Sequence, residues 1–282
     1  MKRSTFLSSG TGLLAAGALS RIGDARSKDA GETVFMHLAS APYPHKSRHY
    51  TDNTVAVCIP PHYRQTDTVD FIVHFHGWHN WVAHLLPEYR LPQQLDASGL
   101  NAILIVPQGP LNAPDSGFGK LELDGNGFAD FIGDVIAHLN ASGKLRTQTI
   151  GNVVLTAHSG GYGGAGGVLT RGGLNEKISD VILFDSAYGY YDAFANWTTS
   201  APEHHLLSVF TDDTSTGNTA LMGMIQAPTP NIYVRLAKDM TQNNLETRAP
   251  TFILTTDVAH DELMQQFSWF KLFLRSTALK PR

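Results

Sequence analysis

Ser159 ends the apolar run Val153-Val154-Leu155-Thr156-Ala157-His158 and opens the small-residue stretch Gly160-Gly161-Tyr162-Gly163-Gly164. A strand that feeds a helix through such a serine makes a strained turn, a nucleophile elbow, which lifts the hydroxyl out of the sheet and closes only when its neighbours are small. Ala157 and Gly161 meet that demand two residues to either side, although Ala157 stands where the G-x-S-x-G pattern has glycine. A serine hydroxyl is a weak nucleophile and needs a base to take its proton as it attacks. Of the 13 histidines, His260 is the best placed. It lies in Asp257-Val258-Ala259-His260-Asp261-Glu262-Leu263, between the last β-rich run and the last amphipathic stretch, in the kind of loop where α/β sheets assemble their sites. The bland alternatives are a passive serine in a strand-to-helix connection and a histidine that caps a helix, a task Asp261 can also do.

A second chemistry competes. His74, His76, His79 and His84 are dense enough to raise a metal site, because imidazole is a common zinc ligand and H-x-H is frequent in metallohydrolases. His74, His76 and His79 match the histidines of an H-x-H-x-D-H pattern, but Trp78 replaces its aspartate, and only His204-His205 clusters downstream. No metal and no cofactor is therefore expected, and a metal-dependent hydrolase using His74, His76 and His79 stands as an alternative.

Positioning these groups requires a particular order of elements. Val34 to Leu38 and Thr54 to Ile59 are short β-rich runs that suit an antiparallel edge, the second closed by Pro60-Pro61. Phe71 to His76 reads as a strand, Gln93 to Ser98 as helical, and Ala102 to Val106 as a strand. Gly127 to Asn140 carries Phe128, Phe131, Ile132, Val135, Ile136 and Leu139 at helical spacing. After the serine come a glycine-rich helix, the strand Val181 to Phe184, a helix around Tyr191 to Trp197, and the strands Leu206 to Phe210 and Thr251 to Thr255. A closing helix is expected over Asp261 to Arg275, with Leu263, Phe267, Phe270, Leu272 and Phe273 on its apolar face. The region Gln226 to Pro250 reads as a loop-rich insertion with an extra strand over Asn231 to Leu236. This βαβ alternation predicts an α/β fold with one doubly wound, mostly parallel sheet and helices on both faces.

A His-Gly turn after an early strand, a serine elbow, a later acid and a histidine before the last helix make the chain resemble the α/β-hydrolase superfamily over Thr54 to Arg275. The resemblance implies a serine hydrolase with a Ser159, His260 and aspartate triad and an acyl-enzyme. Two acid positions stay open. Most members place the acid after the strand next but one from the elbow, here Asp212 or Asp213, whereas pancreatic-type lipases place it after the next strand, here Asp185. Asp185 closes an apolar strand and precedes small residues, so it is the first choice; Asp212 and Asp213 sit in a Thr/Asp/Ser-rich turn suited to local hydrogen bonding. The resemblance also implies an oxyanion site built from the N–H of Gly160 and of Trp78, with Gly77 as second choice in that turn. His76, Trp81, Tyr162, Tyr188 and Tyr190 lie near these turns and are candidates to line a groove for substrate. A carboxylic ester, small or polymeric, is the expected substrate; an amide is the nearest rival, and a non-catalytic binding protein on the same scaffold is a further one.

Composition bounds the rest. The 282 residues are 42% hydrophobic and carry net charge −4, which permits a sizeable core and gives no reason to expect nucleic acid. Lys2-Arg3, Phe6-Leu7 and the small apolar run Gly10 to Leu19 read as a targeting segment with one arginine of a twin-arginine pattern, so residues 1–28 are expected to direct export to the periplasm or outside and then be removed. Residues 29–282 would then form a single domain with no stable membrane insertion. Cys58, the one cysteine, lies in an apolar run and excludes an intrachain disulfide. Composition assigns no oligomeric state.

Overall fold

Strands that read as unbroken apolar runs need cover on both faces, and the middle of the sheet is built from them. The computed structural model describes residues 31–226, 232–240, 245, 247–265 and 268–282. The targeting segment expected over 1–28, Asn231 and Phe267 lie outside the described residues. The strands are β1 (Glu32–His37), β2 (Thr54–Ile59), β3 (Val69–Phe75), β4 (Ala102–Pro107), β5 (Ile150–His158), β6 (Ile178–Phe184), β7 (His205–Phe210), β8 (Tyr233–Leu236) and β9 (Thr251–Leu254). They form one sheet in the order β1-β2-β4-β3-β5-β6-β7-β9-β8. β2 runs antiparallel to β1 and β4, and the remaining pairs are parallel. Every residue of β3, β4 and β7 is buried, whereas β1 at the edge is largely exposed or half-buried.

Helices cover both faces. They are α1 (Val82–Glu88), α2 (Leu91–Ser98), α3 (Gly119–Leu123), α4 (Gly127–Ala141), α5 (Tyr162–Arg171), α6 (Tyr191–Ser200), α7 (Ser215–Gln226) and α8 (Trp269–Leu274). Alternate strand residues sort between two cores, as the two-residue period of a strand demands. Phe71, Val73, Leu155 and Val181 pack with Phe131 of α4, Val168 of α5, Phe194 of α6 and Leu221 of α7. Ile72, Val154, Ile182 and Leu207 pack on the other side with Leu85 of α1, Leu95 of α2 and Phe273 of α8. The expected doubly wound, mostly parallel architecture is the one observed.

Several elements add to or differ from expectation. The closing helix is two pieces, a 3-10 segment His260–Gln265 and α8 from Trp269. Leu263 and Met264 bury one piece while Phe270, Phe273 and Leu274 bury the other, so apolar spacing that reads as one stripe serves two short elements. Helices α1, α3 and α7 were not anticipated; α1 carries Pro87, and α7 is rich in Ser, Thr and Gly, so neither has a strong helical signature. The supposed insertion begins with the end of α7, and the extra strand expected there is present as β8, paired parallel to β9 at the sheet edge. Cys58 is buried, and burial pushes its thiol up to about 11. Among the described residues no helix is long and apolar enough to cross a membrane.

Candidate active site

The chain leaves β3 for β4 on one side and later returns to β5 on the other. Such a reversal in an open sheet leaves a crevice at the carboxyl ends of the strands. There the turn His76-Gly77-Trp78, after β3, meets Ser159, after β5. A Cβ on Gly77 would stand 2.7 Å from the Ser159 Cβ, so glycine is what lets the turn lie this close. Ser159 has φ +50° and Asp185, just past β6, has φ +46°. Left-handed backbone at such residues costs roughly 1–3 kcal/mol each and persists only when its surroundings impose it. One such constraint is the Ser186 hydroxyl, which donates to the Ser159 carbonyl at 2.7 Å.

The loop after β9 brings in His260. Its Nδ1 lies 2.7 Å from Asp185 Oδ2 and its Nε2 lies 2.8 Å from Ser159 Oγ. An ionised carboxylate only accepts, so Nδ1 carries the proton and Nε2 is free to accept from the serine hydroxyl. Asp185 is fully buried yet well supplied with donors. The Thr211 N–H reaches Oδ1 at 2.9 Å and the Thr211 hydroxyl reaches Oδ2 at 2.5 Å. The Thr214 hydroxyl donates to Oδ1 as well. Burial alone would raise the Asp185 carboxyl, but hydrogen bonds from His260, Thr211 and Thr214 outweigh it and hold the group below the ordinary carboxylate value. The hydrogen bond to Asp185 raises His260 above its ordinary value against the opposing effect of burial, with the charges of Asp185, Asp261 and Asp213 adding to the rise.

Of the three acid candidates, Asp185 is the one bonded to His260. Asp212 and Asp213 are exposed, in the 3-10 turn after β7. Asp213 is nevertheless near: among the described residues, Asp185, Asp213 and His260 have potential ligand atoms all within 4.8 Å of one another. His74, His76 and His79 form no such group. His74 is buried with Nδ1 on the Thr156 hydroxyl at 2.9 Å, and burial holds it well below its ordinary value. His79 is exposed, at φ +52°.

Gly160 and Trp78, the expected oxyanion donors, are neighbours, since a Cβ on Gly160 would lie 2.5 Å from the Trp78 indole. The Trp78 side chain is 52% exposed and donates Nε1–H to Ser116 Oγ at 2.8 Å. His76, a candidate to line the groove, is placed beneath the turn. It is buried, Nδ1–H donates to the Gly77 carbonyl at 2.8 Å, and Nε2 accepts the Gly109 N–H at 3.0 Å. Burial lowers it to about 4, so it stays neutral and fixes the turn from beneath. Tyr188 is exposed and stands edge-on to His260 at 6.1 Å, and the half-buried Tyr162 lies between Tyr188 and Tyr190. Trp81 instead stacks on His84 at 4.5 Å.

Sequence reasoning missed Thr211 and Thr214, whose hydroxyls reach Asp185 only through the pairing of β6 with β7, and Ser186, which reaches Ser159 through the pairing of β5 with β6. The available signal was the Thr-x-x-Thr spacing around Asp212-Asp213. It also missed His158, which stacks on His260 at 5.3 Å and which burial lowers to about 4.

No protein-family model matches the chain, and no curated protein matches it in sequence. Solved structures do. A feruloyl esterase module from Clostridium thermocellum complexed with sinapinate superposes with TM-score 0.60 at 11% identity, covering 88% of each chain. An S-formylglutathione hydrolase from Agrobacterium tumefaciens gives 0.53 at 10% identity over 86% of this chain and 91% of that one. A fluorophosphonate-binding serine hydrolase from Staphylococcus aureus gives 0.51 at 11% identity over 86% and 98%. At such identities the likeness is one of fold.

Proposed function

We propose that this chain, which has the α/β-hydrolase fold, is an exported serine hydrolase that cleaves a carboxylic ester through an acyl-enzyme. The observation that carries the reading is the unbroken hydrogen-bonded line from Ser159 Oγ through His260 to Asp185, set on a positive-φ serine at the carboxyl end of β5. Ser159 Oγ attacks the ester carbonyl while His260 Nε2 takes its proton. Asp185 keeps the proton of His260 on Nδ1 and stabilises the imidazolium that forms. The N–H groups of Gly160 and Trp78, with Gly77 as the alternative in that turn, hold the developing oxyanion, and a single such donor is worth about 3 kcal/mol of barrier. His260 then returns the proton to the departing alcohol, and water drawn on by the same imidazole releases the acid from Ser159.

The ester, rather than an amide, is supported by similarity to proteins described as a feruloyl esterase and an S-formylglutathione hydrolase. Export rests on Lys2, Arg3 and the apolar run after them, and residues 29–282 are read as one domain. A panel of p-nitrophenyl esters of increasing chain length beside peptide anilides tests the assignment. Turnover of esters, absent in Ser159→Ala, is the expected result; preferential turnover of anilides would replace the esterase reading with a peptidase.

A further inference from the structure

We propose that a polar cavity beside the Trp78 turn is a subsite for a neutral, hydroxyl-rich group of about one ring in size, carried by the ester that Ser159 cleaves. The proposal rests on the Ser159 reading and names the substrate class of that site. The cavity holds about 340 Å³, at the small end of the roughly 300–1,000 Å³ common for ligand pockets. Trp78, Ser116, Tyr162, Glu122, Tyr190 and Arg48 line it. Its place is marked by Gly160, the residue after Ser159: a Cβ added there would come 2.5 Å from Trp78 Cδ1 and 2.9 Å from Ser116 Oγ, so two of the cavity's lining residues border the serine turn. A larger cavity of about 1200 Å³ runs along α6 past Trp197 and His204 and shares only Tyr190 with the smaller one.

Three features of the lining choose the ligand. First, the polar groups are held ready. Ser116 Oγ accepts the Trp78 Nε1–H, which leaves its own O–H to donate. Glu122 Oε2 accepts the Phe118 N–H at 2.9 Å and Oε1 accepts the Tyr190 O–H at 2.9 Å. Asp115 Oδ1 accepts the Gly117 N–H at 2.8 Å, and Oδ2 accepts the Tyr50 O–H at 3.2 Å. A plain alkyl chain placed here would strip water from these groups and from the Arg48 guanidinium while returning nothing. Second, the charge balance is two carboxylates, Asp115 and Glu122, against one guanidinium, with Arg48 Nε 3.9 Å from Asp115 Oδ2. That balance repels an anion. Each carboxylate oxygen already has a donor within the protein, so neither calls for a cation. Hydroxyl groups, which both donate and accept, are what the mixture of free donors and part-used acceptors can match. Third, Trp78, Tyr162 and Tyr190 supply flat faces, and such faces pack well against the C–H side of a ring.

The hydroxyls can belong to the alcohol half or the acyl half of the ester, and two arms of one experiment separate these. The purified protein is given the primary-hydroxyl acetate of methyl glucoside against cyclohexylmethyl acetate, and p-nitrophenyl glycerate against p-nitrophenyl propionate. In one arm the hydroxylated member should be favoured in kcat/KM by about 10- to 100-fold, mostly through KM, because unmatched polar groups penalise its analogue. Arg48→Ala and Ser116→Ala should each reduce that ratio by about threefold or more. Ratios near unity in both arms would overturn the subsite, as would a ratio unchanged in both variants, or a choline ester preferred to every neutral one. Failure of all esters together with no fluorophosphonate labelling would instead remove the Ser159 reading beneath it.

Discussion

β6 has an aspartate near each end, and each meets a histidine. Near the amino end Asp180 Oδ1 lies 3.2 Å from His205 Nδ1; past the carboxyl end Asp185 Oδ2 lies 2.7 Å from His260 Nδ1. The two pairs part company at the far side of the imidazole. His260 presents Nε2 to a serine hydroxyl beside the crevice, while His205 Nε2 is buried with no hydrogen-bond partner among the described residues. Asp180 is also shared: Arg248 Nη1 reaches its Oδ1 at 2.5 Å and the Ala278 N–H reaches its Oδ2 at 3.0 Å, so it fastens the segment before β9 and the C-terminal tail to the sheet. Asp180 pairs with Val154 in the β5–β6 ladder, just after a register shift, whereas Asp185 lies past the strand and is held at φ +46°. An aspartate beside a histidine is therefore not a sign of catalysis. A serine hydroxyl on the second nitrogen, partial access to solvent and imposed backbone strain distinguish the end proposed as reactive from the structural one.

Substitutions at the two ends should break the molecule in different ways. Asp185→Asn is expected to cost about 10⁴-fold in kcat with little change in melting, because the amide favours the wrong histidine tautomer; steady-state kinetics and calorimetry read both. Asp180→Asn should do the reverse and lose about 3 kcal/mol of stability, the lower part of the range for a broken buried pair because Arg248 is partly exposed, with kcat intact in the fraction that folds. Denaturant titration measures it. Burial would raise the Asp180 carboxyl, but His205 and Arg248 outweigh it and lower the group below its ordinary value. The stability it gives is present above the unfolded carboxyl value of about 3.9 and is lost as pH falls through the lower folded value.

Smaller effects sharpen the contrast at the reactive end. Thr214→Val removes one donor from Asp185 and should cost about tenfold in kcat/KM, with no counterpart expected at Asp180. An imidazole accepts a proton only when neutral, and His260, the proposed base, is raised, so kcat/KM should climb with pH through a midpoint above the ordinary histidine value of about 6.5. Asp213→Asn takes away a nearby negative charge that favours the imidazolium, so that limb should move to lower pH, by less than about one unit given the exposure of Asp213. Asp185 and Asp261 should hold the remainder of the shift, while His158 and Tyr188 face His260 as ring contacts.

Much of the parallel core was legible because β3 to β7 are apolar runs bounded by turn residues, and burial on both faces leaves that mark. Ser159 and His260 stood out through small neighbours and chain order. The acid could not be settled that way: Asp185 and Asp213 both stand at strand ends, and only the pairing of β6 with β7 brings Thr211 and Thr214 onto Asp185. The burial of His76 was not legible, because a polar residue at a turn looks exposed until its two ring nitrogens are seen to be used by Gly77 and Gly109. The break between the 3-10 segment and α8 was hidden for the opposite reason, since Leu263, Phe270 and Phe273 keep helical spacing across it.

The central claim is that the hydroxyl held by His260 is the reacting nucleophile. A fluorophosphonate reagent followed by peptide mapping tests it directly: the adduct should lie on Ser159, vanish in Ser159→Ala and form far more slowly in Asp185→Asn. An adduct that persists in Ser159→Ala, or maps to another residue in the wild type, would contradict the account.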